Sequence, residues 1–101
     1  MNEAKKHQLQ DLIDKIERVD KMVKVHSSNP SKFMLEQYES KKEKLLSYLI
    51  DELVDARLRS PYSFRLVMLA LMRYYPEVIN AKKPMKDKHY NELKDLEAVL
   101  A

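Results

Sequence analysis

Not one of the 101 residues is glycine, where average usage would give about seven. Glycine supplies the positive-φ corners of tight hairpins, bulges and phosphate-cradling loops. A chain without it has little means of turning the corners of a sheet and no nucleotide loop of the usual kind. Long helices with short polar joints are the architecture left to it.

The charge balance is mixed rather than one-sided. Nineteen basic residues stand against 16 acidic ones, giving a formal net charge of +3 with 35% of the chain charged, which favours solubility before it favours any partner. There is no cysteine, so disulfides, thiolate chemistry and cysteine-ligated zinc are excluded, and a reducing, cytoplasmic setting is expected. The opening Met-Asn-Glu-Ala-Lys-Lys-His-Gln leads into a charged amphipathic stretch, not the apolar core of a secretory signal. The most apolar run, Leu66 to Met72, is bracketed by Arg65 and Arg73 and falls far short of the roughly 20 residues that span a bilayer. No membrane span is expected.

Between about 3 and 26, Leu9, Leu12, Ile13, Ile16, Val19, Met22 and Val23 recur by threes and fours, the stripe of one α-helix. Asp11 with Lys15, Asp14 with Arg18, Glu17 with Lys21 and Asp20 with Lys24 form acid-before-base pairs four apart on its solvated side. Ser27-Ser28-Asn29-Pro30 breaks the pattern, Asn29 being suited to cap a second helix and Pro30 to open it. That helix is expected over about 30–59, with Met34, Leu35, Tyr38, Leu45, Leu46, Leu49, Ile50, Leu53, Val54 and Leu58 on its apolar side. Two long helices joined so tightly form an antiparallel hairpin. Lys41 and Lys42 fall on its inward stripe, so their stems should cover core while an amine reaches Asp14 or Glu17 across the hairpin.

Ser60-Pro61 marks the next boundary. From 61 to 75 the chain is apolar almost all round, as Phe64, Leu66, Val67, Met68, Leu69, Ala70, Leu71 and Met72 show, the sign of a helix covered on more than one side. Pro76 ends or bends it. A short turn leads past Pro84 to a last helix over about 86–100, with Tyr90, Leu93, Leu96, Val99 and Leu100 at helical spacing.

No constellation points to catalysis. His7, His26 and His89 lack the partners of a helix-borne metal site, and His26 suits a helix C-terminus. Asp51, Glu52 and Asp55 cluster, but Arg57 and Arg59 follow within a turn or two and offset their repulsion. No serine triad, metal set or cofactor motif is evident, so catalytic, metal and cofactor residues are expected to be none. Lys82, Lys83, Lys86 and Lys88 face Asp87 alone. With Arg73 and nearby tyrosines they form a candidate phosphate-contacting segment.

The apolar excess of 61–75 carries the larger implication. At 1.5 Å per residue that helix covers about 21 Å of a hairpin roughly 36 to 45 Å long, so the far half of the hairpin needs cover from the last helix or from a second protomer. The candidate interface comprises Val19, Met22, Val23, Phe33, Met34, Leu35, Phe64, Met68, Leu69 and Met72. The sequence thus predicts one all-α domain, a bundle-like long-helix hairpin with two shorter helices packed on it. Its expected role is a non-enzymatic interaction or assembly module, a homodimer or the partner of another protein. The alternative is a nucleic-acid-associated protein using the basic 82–89 segment.

Overall fold

The structure is a computed structural model that describes residues 2–28, 32–80 and 88–100, and every regular element among them is α-helical. α1 spans Glu3–His26, α2 Lys32–Leu53, α3 Pro61–Tyr74, α4 Pro76–Ile79 and α5 Tyr90–Leu100. Asn29, Pro30 and the start of the last helix before residue 88 lie outside the described residues. The chain divides into two compact units, Met1–Leu69 and Ala70–Ala101.

The first unit is built on the α1–α2 hairpin. Lys5 pairs with Glu52, Asp20 with Lys42, and the His26 ring stacks on Tyr38 at 5.2 Å. Numbers rise along α1 as they fall along α2, so the two helices are antiparallel and closely packed. Leu9, Ile16 and Val19 of α1 meet Leu46, Leu49 and Leu53 of α2, all buried and Ile16 completely so. Full burial of one such side chain stabilises by about 1.5 to 3 kcal/mol.

The α2 seam runs 42, 46, 49, 53 in steps of four, three and four, the spacing of a helix packed along one partner. Its first position is a lysine. Lys42 is buried, and its Nζ lies 2.8 Å from Oδ1 of the equally buried Asp20, whose Oδ2 faces exposed Lys24 at 3.2 Å. Lys41 stays exposed. Asp20, one turn beyond the Glu17 named from the sequence, is the carboxylate that lies 2.8 Å from Lys42 Nζ.

α2 stops at Leu53, six residues before the expected 59. The helix-forming sequence continues, but Asp55 intervenes: its Oδ1 accepts the Arg57 backbone N–H at 3.0 Å, while its carbonyl accepts from Leu58 and Arg59. This is an aspartate turn competing with the helix ladder. Ser60 then caps α3. Its Oγ accepts from Ser63 N–H at 3.2 Å and its own N–H donates to Ser63 Oγ at 2.8 Å, a reciprocal box with serine in the usual place of glutamate. The first turns of α3 close on the hairpin around a hollow of about 160 Å³ lined by Leu9, Leu53, Leu58, Ser63 and Leu66.

In the second unit, Tyr75 N–H still donates to Leu71, but the residue itself leaves the helical region before Pro76, as proline demands. α3 therefore ends at Tyr74, one residue short of the expected 75, and α4 is a single turn after it. α5 starts at Tyr90, with the His89 carbonyl accepting from Glu92 and Leu93.

Asp20 serves two lysines, so its loss should exceed that of either. Asp20→Ala is expected to cost about 3 to 5 kcal/mol, and Lys42→Met less than that, because the stem is kept and Lys24 still faces the carboxylate. Urea midpoints of the two variants check the order; equal losses would contradict it.

Candidate interaction surface

α3 has a covered face and a bare one. Ser63, Val67, Ala70, Leu71 and Tyr74, which share one side of the helix, are buried or half-buried. Phe64, Met68 and Met72 make a second stripe, each about half exposed at 51, 51 and 50%, with Leu69 beside them at 44%. The helix is covered on one side only, where an all-round apolar sequence suggested more. Arg65 and Arg73 share the outer side, and the Arg73 guanidinium lies 5.8 Å from the centre of the Tyr74 ring.

α5 is barer still. Leu93, Leu96, Val99 and Leu100 are 54, 57, 81 and 85% exposed, and no residue of the helix is buried. An isolated helix of 11 residues is marginal in water, and this stripe is exposed apolar surface among the described residues. The sequence showed its spacing, but a short amphipathic stripe does not say whether its cover comes from within the chain.

The candidate interface residues are thus sorted. Phe64, Met68, Leu69 and Met72 come together on one exposed face. Val19 is buried in the hairpin seam; Met22, Val23, Met34 and Leu35 are half-buried on the hairpin, and Phe33 is 68% exposed. Phe33 and Tyr48 border a shallow, open hollow along α2 that also takes in Lys41 and Lys44. Of the candidate phosphate contacts, Arg73 and Lys88 are exposed, whereas Lys82, Lys83 and Lys86 lie outside the described residues.

Two of the carboxylates near the α2 end, Glu52 and Asp55, are engaged with cations. Glu52 pairs with Lys5, and Asp55 Oδ1 also accepts from Arg57 Nε at 3.1 Å. The Arg57 backbone N–H first, and its side chain second, hold the Asp55 carboxyl below its ordinary value. Such bonds favour the ionised form and oppose a role in taking up protons. Among the described residues, no group of three His, Cys, Asp or Glu is placed to hold a metal ion, and no helix is long and apolar enough to cross a membrane.

Compared with protein-family models, with curated proteins and with solved structures, the chain matches none.

The depressed Asp55 value fixes a sign. Its contribution is fully present above the unfolded value of roughly 3.9 and is lost as pH falls through the lower folded value. Asp55→Asn keeps an acceptor for the turn but does not titrate. The stability gap between parent and variant at neutral pH should therefore close on acidification below about pH 4. Urea unfolding at neutral and acid pH measures it, and a gap that stays constant would show that the ionised carboxylate contributes nothing to the fold.

Proposed function

We propose that this chain is a non-enzymatic helical interaction module that self-associates, its apolar α3 face being an interface between protein copies. The observation that carries the reading is the bare stripe of Phe64, Met68 and Met72 with Leu69 at its side, on a helix whose opposite face is already covered. Scattered apolar residues are ordinary on a protein surface, but a contiguous stripe is the mark of an interaction site. Methionine adapts its shape to a partner more readily than branched residues do. The lack of cysteine suits a cytoplasmic setting.

The test is sedimentation equilibrium of the full chain over the micromolar range at low and raised salt. The mass is expected to rise from 12.0 kDa toward twice that value, and added salt should leave the association intact, as apolar burial requires. Met68→Asp should give a monomer with unchanged helical signal and cooperative unfolding, since the residue faces solvent in the single chain. A single 12.0 kDa species up to high micromolar concentration at both salts would overturn the reading. Binding to mixed-sequence duplex that weakens steeply with salt, in a chain that stays monomeric, would favour the basic 82–89 segment and nucleic acid instead.

A further inference from the structure

We infer that the exposed face of α3 receives the α5 helix of a second copy of this chain, exchanged reciprocally so that each copy's α5 lies on the other's α3. The inference rests on the self-association reading and names the surface that meets α3. Three properties of the two helices, each taken by itself, point to this pairing.

The first is charge. α3 carries Arg65 and Arg73 and no acidic residue, whereas α5 carries Glu92, Asp95 and Glu97 against the single Lys94. At 3.6 residues per turn, Leu93, Leu96 and Leu100 form a narrow stripe, with Glu92 on one flank and Glu97 on the other. An apolar strip edged with acids thus faces an apolar strip edged with arginine, the complementarity that fixes partner and register. A second α3 in the same place would set arginines against arginines, and an anionic lipid surface would repel the acidic flanks of α5.

The second property is length. The α5 stripe from Leu93 to Leu100 extends about 11 Å, close to the roughly 12 Å of the α3 stripe from Phe64 to Met72 that it has to cover. The third is area. At roughly 200 Å² for a large side chain, the four exposed apolar residues of α3 offer only about half of the roughly 800 Å² per partner that a stable dimer buries. The α5 stripe of Leu93, Leu96 and Leu100, each more than half exposed, supplies the remainder when the exchange is reciprocal. Such an arrangement is two-fold and closed, so it ends at the dimer instead of propagating.

Charge reversal in the full-length chain tests this. Arg65→Glu changes only α3 and Glu97→Arg changes only α5, the latter placing a cation in the last turn of α5 where the helix dipole favours it. Each variant occurs at both contacts of a dimer, so each should weaken self-association about tenfold or more, with circular dichroism unchanged. An equimolar mixture of the two variants has complementary charges at both contacts and should restore a mixed dimer, detected by sedimentation velocity with one variant labelled at its N-terminus. Arg65→Asp and Glu97→Lys provide a second pair should either chain fold poorly.

If both variants associate as the parent does, the α3–α5 exchange is overturned while self-association stands on another surface. If association returns when both changes share a chain but not when the variants are mixed, the contact closes within one chain and the exchange is likewise overturned. If the parent remains a monomer throughout, the underlying self-association reading falls as well.

Discussion

A buried lysine in the seam of a helical hairpin is the constraint on which the rest of this structure depends. The stripes that join α1 and α2 are otherwise aliphatic, and leucines spaced by threes and fours pack nearly as well one turn out of register. Lys42 does not. Its amine finds Asp20 at 2.8 Å in the register observed, and a slip of one turn would separate it from that buried carboxylate, at a cost of several kcal/mol for the broken buried pair. A polar residue at one seam position fixes register in this way in coiled coils. The His26–Tyr38 stack and the Lys5–Glu52 pair follow from the alignment that the ion pair selects.

What the hairpin secures is small. Among the described residues, six of the seven buried apolar ones belong to α1 and α2, and the seventh is Tyr74 at the end of α3. A chain of this size has a modest core, and many of the apolar residues of α3 and α5 are exposed among the described residues. Phe64, Met68 and Met72 contribute little to the fold while exposed, and Leu93, Leu96 and Leu100 less still. The functional reading follows from that imbalance: the residues that do not stabilise the monomer are those available to a partner.

Much of this was legible in the sequence because local signals carry it. The stripe from Leu9 to Val23 marked α1, Ser60-Pro61 marked the start of α3, and the absence of glycine matched a described structure without strands. The end of α2 was not legible, because Val54 to Arg59 is good helical sequence and only the Asp55 carboxylate, by taking the Arg57 N–H, diverts it. A lysine reaching across the hairpin to an α1 carboxylate was legible, whereas Asp20 as a partner of Lys42 was not, because it depends on the register of the two helices. The bare face of α3 was the hardest to foresee. A segment apolar on all sides holds no periodic record of which side is covered, so the division between Val67, Leu71 and Tyr74 on one face and Phe64, Met68 and Met72 on the other emerges only from packing. The basic residues Lys82, Lys83 and Lys86 fall outside the described residues, and the alternative they suggested rests on composition alone.

Hydrogen exchange of backbone amides as a function of protein concentration separates a self-sufficient hairpin from helices closed by another copy. Amides of α1 and α2 should show high protection that does not change with dilution, since their core lies within one chain. Amides of α3 and α5 should lose protection on dilution, by an amount that tracks the fraction of chains left unassociated. Protection of α3 and α5 equal to that of the hairpin and independent of concentration would mean that the single chain already covers them, and would contradict an interface built from their exposed faces.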